Sequence, residues 1–264
     1  IFMFDWGIRG AAIATVSAQV IALLWQLKQF NNANELLHFR RGIFRLKRKI
    51  VFDSLAIGMS PFLMNLAACL IVILINQGLK KYGGDLAIGA FGIVNRLVFI
   101  VVMIVMGLNQ GMQPIAGYNF GAKLYDRVNK VLKLTIIYAT CVTTFGFLVG
   151  MLAPNLVVGI FTSDAELTEL SATGLRITVM FFPIIGFQMV TSNFFQSIGM
   201  AGKAIFLSLT RQMLILLPCL LILPHFFGVA GVWYSMPVSD LLASLIALVM
   251  LVYQFRKFKT AAAH

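Results

Sequence analysis

Residues 86–110 read LAIGAFGIVNRLVFIVVMIVMGLNQ, an apolar run in which Arg96 is the only charged residue. A helix of about 20 apolar residues crosses the hydrocarbon core of a bilayer, so this run predicts a transmembrane helix. Similar runs recur along the chain and predict spans at residues 8–28, 51–79, 86–110, 132–161, 170–197, 204–224 and 230–255. The sequence therefore predicts an all-α polytopic membrane protein with seven transmembrane helices.

The composition excludes a soluble globular domain. Of the 264 residues, 60% are hydrophobic and only 11% are charged, whereas soluble domains carry about 25% charged residues. A formal net charge of +12 would favour nucleic-acid binding in a soluble protein, but membrane proteins concentrate Lys and Arg in their cytoplasmic loops. The expected partner is therefore the lipid bilayer, and no nucleic-acid partner is expected.

The distribution of Lys and Arg predicts the orientation. If the first span ends in the cytoplasm, most basic residues fall on the cytoplasmic side, among them the cluster at residues 40–49 and Arg211. The other side then carries Arg9, Lys80, Lys81 and Arg176. This bias predicts a multi-pass protein of the plasma membrane, expected to be a bacterial inner membrane, with a cytoplasmic C-terminus.

A partial repeat indicates how the chain is organised. The sequence GIRG at residues 7–10 opens the first span, and GVAG at residues 228–231 opens the seventh. This is either a repeat with a period of six spans, as transporter folds have, or a chance similarity of two apolar helices. On the repeat hypothesis, residues 1–30 are the last helix of an N-terminal half, 31–49 a basic cytoplasmic linker, 50–258 a six-helix C-terminal half and 259–264 a cytoplasmic tail. The linker either lies along the inner leaflet or is solvated.

Several amides lie within the predicted spans, where polar side chains are costly and often functional. Four of them are candidates for contact with a polar substrate: Asn65, Asn95, Gln188 and Asn193. The alternative is that these amides join neighbouring helices through hydrogen bonds, which contribute about 0.6 kcal/mol each in membranes.

Two charged residues are predicted near the middle of the bilayer. Arg96 and Asp240 each lie about ten residues from the outer end of a span, which places them ~15 Å deep at 1.5 Å per residue. Because a buried charge needs a partner, we expect the two residues to pair with each other. The pair is either a static structural contact or a gate linked to proton binding.

The sequence offers no catalytic or metal-binding arrangement. It lacks paired carboxylates, an HExxH pattern and a His cluster, and Cys69, Cys141 and Cys219 are isolated in apolar runs. We therefore expect neither an enzyme nor a metal site.

Four stretches of the sequence carry a family resemblance, and the motif at residues 107–123 is the longest of them. Residues 107–123 read GLNQGMQPIAGYNFGAK, residues 81–87 read KYGGDLA, residues 195–199 read FQSIG, and residues 228–240 read GVAGVWYSMPVSD. In combination they resemble the multidrug and toxic compound extrusion (MATE) transporters. The central motif holds Gln113, Pro114, Gly117, Tyr118 and Gly121. Its glycines predict a tight cytoplasmic turn, with the tyrosine packed against the helix ends; it is either an ordinary connector or a conformational hinge.

The resemblance implies a fold and a function. It implies a twelve-helix antiporter of two six-helix halves, of which the N-terminal one is missing here. Such a transporter exports amphipathic, often cationic compounds against H⁺ or Na⁺ flow and needs no other cofactor, so small organic cations are expected partners. The alternatives are a lipid-linked flippase of the same broad superfamily and a non-transporting membrane scaffold.

The chain departs from the family at the coupling-ion site. Some members hold the ion with carboxylates in the seventh and tenth helices, where this chain has Asn65, Cys69 and Gln188. Neutral residues supply neither negative charge nor a titratable proton. The resemblance therefore implies that the coupling carboxylate lies in the other half, with Asp240 as the one deep carboxylate here.

Overall fold

The computed structural model describes residues 7–32, 38 and 46–262. The described regular elements are helical throughout, which confirms the all-α prediction. They are α1 Gly7–Phe30, α2 Arg48–Gly121, α3 Tyr125–Leu152, α4 Pro154–Val158, α5 Ala165–Val179, α6 Phe182–Ser197, α7 Ala201–Leu209, a π-helical segment Thr210–Leu216, α8 Leu217–Phe227 and α9 Val229–Ala262.

The chain divides into two compact units. The first is Ile1–Ile57, which contains α1 and the start of α2, and the second is Gly58–His264. Every site discussed below lies within the second unit. The predicted domain boundaries remain predictions.

The predicted number of seven transmembrane spans is confirmed only in part. In the described part of the chain, four helices are long and apolar enough to cross a membrane: Asn65–Gly121, Tyr125–Leu152, Gly202–Phe227 and Val229–Gln254. A fifth is added if α5 and α6, which are bent by 55° at their junction, count as one span. Helix α1, which covers the first predicted span, is not among them.

The longest of these helices contains two predicted spans. A helix running over residues 65–121 would be ~85 Å long at 1.5 Å per residue, far more than the ~30 Å hydrocarbon core. Its backbone breaks at Gly84, where φ is 69° and ψ is −164°, a conformation that glycine adopts without a steric penalty. The break lies between the predicted spans 51–79 and 86–110.

Two other predicted spans end or bend where proline interrupts the helix. The span predicted at 132–161 ends earlier, at Leu152, because Pro154 follows and opens the short helix α4. The span predicted at 170–197 is divided between α5 and α6, and Pro183 lies in the first turn of α6. Proline has no backbone N–H to continue the preceding helix, so helices tend to end before it.

Two clusters of buried apolar side chains hold the second unit together. The first includes Leu79, Ala87 and Trp233, which lie near the Gly84 break and the start of α9. The second includes Met112 and Leu251, which lie near the opposite ends of α2 and α9. The candidate site is lined largely by residues of the first cluster, among them Ile75, Phe91 and Phe182.

Helices α3 and α6 approach each other most closely at Gly186. A Cβ atom added there would lie 2.8 Å from the backbone oxygen of Ala139 and 2.8 Å from Oγ1 of Thr143. Both are closer than real Cβ atoms come to other atoms, and the first belongs to a helix backbone. This contact therefore requires glycine.

We predict that Gly186→Ala destabilises the protein by about 1–3 kcal/mol, because the added methyl group forces α3 and α6 apart. The matched control is Gly92→Ala, since nothing lies within 4 Å of a Cβ at that helical position. There the change should be neutral or stabilising by up to ~1 kcal/mol. The measurement is the thermal unfolding of the complete protein in detergent, and equal shifts in Tm for the two variants would contradict the packing.

Candidate functional site

A buried ion pair links α9 to the π-helical segment. Nε of Arg211 donates a hydrogen bond to Oδ1 of Asp240 over 2.7 Å, and the two side chains are 33% and 5% exposed. A carboxylate at this depth requires a partner, because an unpaired charge in the membrane interior is strongly unfavourable. Arg211 supplies that partner.

The π-helical segment Thr210–Leu216 brings Arg211 to this position. Such segments are rare and are often found at functional sites. The residues on either side of the arginine are also polar: Oγ1 of Thr210 and Oε1 of Gln212 are buried and lack a hydrogen-bond partner among the described residues. A run of three polar residues therefore enters an otherwise apolar helix here.

The ion pair borders a cavity of about 210 Å³ between α2, α5, α6, the π-helical segment and α9. Its lining residues are Val72, Ile75, Phe91, Val94, Asn95, Val98, Val102, Thr178, Phe182, Ile185, Met189, Arg211, Leu216, Met236, Ser239 and Asp240. Most of the wall is apolar or aromatic. Asp240 is the only carboxylate in the lining.

The polar groups of the cavity differ in what they can still bind. The hydroxyl of Thr178 donates to the backbone oxygen of Gly174 at 2.8 Å, and that of Ser239 donates to Met236 at 2.7 Å. The Arg211 side chain is one-third exposed, and among the described residues its one polar contact is through Nε. An occupant of the cavity therefore finds the terminal nitrogens of this guanidinium and the amide of Asn95.

The prediction that Arg96 pairs with Asp240 is wrong. Arg96 is exposed and makes no ion pair within the described residues. Successive residues of a helix point about 100° apart. Asn95, the residue before Arg96, lines the cavity, whereas Arg96 does not. The prediction matched the two residues in depth, but depth does not fix the direction in which a side chain points.

The four candidate amides do not form a single site. Asn95 lines the cavity, whereas Asn65, Gln188 and Asn193 are not part of its wall. Gln188 is buried within α6. Asn193 accepts a hydrogen bond from Nε2 of Gln113 at 3.4 Å and donates to the backbone oxygen of Met189 at 3.0 Å. The predicted substrate contacts of all four remain predictions.

The motif at residues 107–123 is mostly helical, which corrects the predicted turn. Helix α2 continues through Gly117 to Gly121, and the turn follows at Lys123, where φ is 59°. Tyr118 is 78% exposed and does not pack against the helix ends. The glycine at 117 serves a close contact instead, because a Cβ there would lie 2.9 Å from the backbone oxygen of Ser197.

Hydrogen bonding and packing in this motif tie the end of α2 to α6. The bond from Gln113 to Asn193 and the contact of Gly117 with Ser197 join the same two helices. Pro114 and Gly121 belong to the motif, and nothing lies within 4 Å of a Cβ at Gly121. The motif is therefore a helix-to-helix contact.

Sequence reasoning missed Arg211, Thr178 and Ser239 as parts of the site. Arg211 was assigned to the cytoplasmic side because it lies near the start of a predicted span. The available signal was the pair Arg211-Gln212 inside the apolar run 204–224. Within the described residues, no group of three or more His, Cys, Asp or Glu side chains is placed to hold a metal ion.

Comparisons with known proteins agree on one family. The model of the family described as MatE matches residues 56–222. The Multidrug export protein MepA of Staphylococcus aureus (strain MSSA476) is 28% identical over 260 residues, which is 97% of this chain and 56% of that protein. The protein of the same name from Staphylococcus saprophyticus is 25% identical over 256 residues and has the same coverage.

Solved structures show the same fold. The MATE multidrug transporter DinF-BH superimposes with a TM-score of 0.83 and 35% identity over 97% of this chain and 57% of that one. An outward-facing MATE family transporter of the MOP superfamily superimposes with a TM-score of 0.85 and 21% identity, over 98% of this chain and 59% of that one. The chain spans about half the length of the relatives that it matches.

We predict that Arg211→Gln destabilises the protein by about 3–5 kcal/mol, because it leaves the buried Asp240 carboxylate without its partner. Asp240→Asn should cost less, since the Arg211 side chain that it leaves unpaired is one-third exposed. The double variant should recover much of that loss. Arg96→Gln is the control and should change stability little, since the side chain is exposed and unpaired within the described residues. Thermal unfolding of the four variants in detergent gives the comparison; additive losses in the double variant would show that the two residues do not interact.

Proposed function

The chain belongs to the MatE family of multidrug transporters, and we propose that it forms part of a secondary transporter that exports amphipathic, cationic compounds in exchange for H⁺ or Na⁺. The proposal includes a second half of similar size, on the N-terminal side, and alternating access between the two halves. The coverage of the relatives supports a longer protein, since they are almost twice as long as the matched region.

The cavity beside Asp240 is the observation that carries the proposal. Aromatic and thioether side chains such as Phe91, Phe182 and Met236 give it walls that suit an apolar body of variable shape. A single ionic corner, formed by Arg211 and Asp240, lies in the same wall. An apolar wall with one charged corner matches an amphipathic substrate.

Exchange of the partner of Asp240 is the proposed link between substrate and ion in this half of the protein, in addition to the coupling carboxylate that the resemblance implies in the other half. In the structure, Arg211 neutralises the carboxylate. A proton or a cationic substrate group would neutralise it equally well and would free Arg211 to turn toward the cavity. Because both compete for one carboxylate, binding of one disfavours binding of the other, as exchange transport requires.

The complete protein, reconstituted in vesicles, provides the test. We expect efflux of a cationic dye that depends on an H⁺ or Na⁺ gradient, and we expect Asp240→Asn to abolish the gradient dependence while Arg96→Gln retains it. The dye must be measured alongside a fluorescent lipid. Lipid translocation without dye efflux would identify a flippase, and neither activity would identify a scaffold; both results would contradict the proposal.

The contact between α2 and α6 gives a further prediction. If these helices move together during transport, Gly117→Leu should reduce efflux more than it reduces expression, because the new side chain meets the backbone of Ser197. Gly121→Leu lies in the same motif with open space around it and is the matched control. Initial efflux rates normalised to the amount of protein provide the measurement, and equal rates in the two variants would reduce the motif to a connector.

A further inference from the structure

Helix α3 has one buried face and one exposed face within the described part of the chain. Its buried residues are Val128, Leu132, Thr135, Ala139, Thr143 and Gly150, and they recur at the three- and four-residue spacing of a single face. The opposite face is exposed along the helix. Its exposed residues are Arg127, Lys130, Leu134, Ile137, Tyr138, Cys141, Phe145, Leu148 and Leu152.

The exposed face is basic at its N-terminal end and apolar beyond it. Arg127 and Lys130 lie one turn apart, so their side chains are neighbours on the helix surface. Both are exposed and make no ion pair within the described residues, and Lys133 is exposed one turn further on. Asp126 is exposed one turn before Lys130 and offsets part of the positive charge, but Arg127, Lys130 and Lys133 together leave this end of the helix with an excess of positive charge.

The segment that follows the far end of α3 along the chain carries the opposite charge. The segment after α4 has three exposed acidic residues, Asp164, Glu166 and Glu169. An anionic group is therefore attracted to one end of α3 and repelled from the other. The positive end is the one that the Lys and Arg distribution predicts to be cytoplasmic.

An apolar cavity opens beside this face further along the helix. It has a volume of about 170 Å³ and lies between α2, α3, α4, α5 and the start of α6. Its wall includes Val101, Phe145, Val149 and Val179, and the side chain of Phe145 beside it is 69% exposed. Apolar cavities of about 150 Å³ stay dry and bind small hydrocarbons, so this one suits a segment of hydrocarbon chain.

The distances fit one lipid molecule. From Lys130 to Phe145 the helix rises ~22 Å, and half of a bilayer, from its headgroup region to the midplane, is ~20–22 Å thick. We propose that this face binds one anionic phospholipid, with its phosphate on Arg127 and Lys130, one acyl chain along Leu134 and Tyr138, and the end of that chain in the cavity beside Phe145.

The charge on the protein selects the headgroup class. Zwitterionic and anionic phospholipids both carry a phosphate that accepts hydrogen bonds from the arginine fork. In a zwitterionic lipid the ammonium group of the headgroup offsets the phosphate charge and is repelled by the two cations, so the anionic lipid is favoured. A free phosphate would use the basic end but gain nothing from the apolar face or the cavity. The proposal is independent of what the protein transports.

Native mass spectrometry of the complete protein tests the proposal, with long-chain phosphatidylglycerol and phosphatidylcholine of identical acyl chains offered together. The wild type should prefer phosphatidylglycerol. The double variant Arg127→Gln/Lys130→Gln should bind it about thirty-fold more weakly, given roughly fivefold for each basic residue near a lipid surface. The control Lys80→Gln/Lys81→Gln removes an exposed basic pair elsewhere and should leave the preference intact.

The proposed binding of the acyl chain in the cavity is tested separately by Val149→Phe, which fills the cavity. This variant should lose the preference for long-chain over eight-carbon phosphatidylglycerol, whereas Leu148→Phe, an exposed neighbour outside the cavity wall, should keep it. Thermal unfolding without lipid checks that the variants are folded. An unchanged lipid preference in folded Arg127→Gln/Lys130→Gln, an equal loss in the Lys80/Lys81 control, or competition by inorganic phosphate as strong as by the lipid would overturn the proposal.

Discussion

The requirement that a carboxylate inside a bilayer must have a charged partner organises the centre of the second unit. Asp240 lies midway along α9, almost fully buried, and Arg211 reaches it from the π-helical segment. The pair joins α9 to the π-helical segment, and Lys203 of the adjoining α7 donates a second polar contact to Gln254 of α9. It also leaves part of the guanidinium exposed toward the neighbouring cavity, so the same interaction that satisfies the fold supplies the polar corner of the candidate site.

Much of this could be predicted from the sequence, because hydropathy is strong in a chain with 60% hydrophobic residues. The bilayer depth of Asp240 stays a prediction. The all-helical membrane class and the gap between the second and third predicted spans, where Gly84 breaks the helix, follow from the apolar runs and the glycines between them. The partner of Asp240 does not. Counting residues from the end of a span gives depth but not direction, and Arg96 has the right depth and points away. The inside-positive rule assigned Arg211 to the cytoplasm because it counts basic residues and says nothing of where a side chain points. A π-helical segment leaves no distinct sequence signal, so its effect on the direction of Arg211 could not be predicted.

The glycines also show that a sequence pattern does not determine how a residue packs. Two glycines close together predict a turn at residues 117–121, yet the helix runs through both. Glycine is equally suited to a turn and to the close approach of two helices, and only the position of Ser197 distinguishes these uses at Gly117. The two faces of α3 are likewise set by packing, because large apolar side chains such as Leu134 and Phe145 lie on the exposed face and hydropathy does not distinguish it from the buried one.

The most direct measurement is an experimental structure of the complete protein in a lipid nanodisc, at a resolution that shows side chains. With the substrate absent, we predict that Arg211 is the cation nearest to Asp240, with its Nε within hydrogen-bond distance of a carboxylate oxygen. A structure in which Asp240 is paired with Arg96, or with a residue of another part of the protein while Arg211 points elsewhere, would contradict this assignment and the transport mechanism proposed from it.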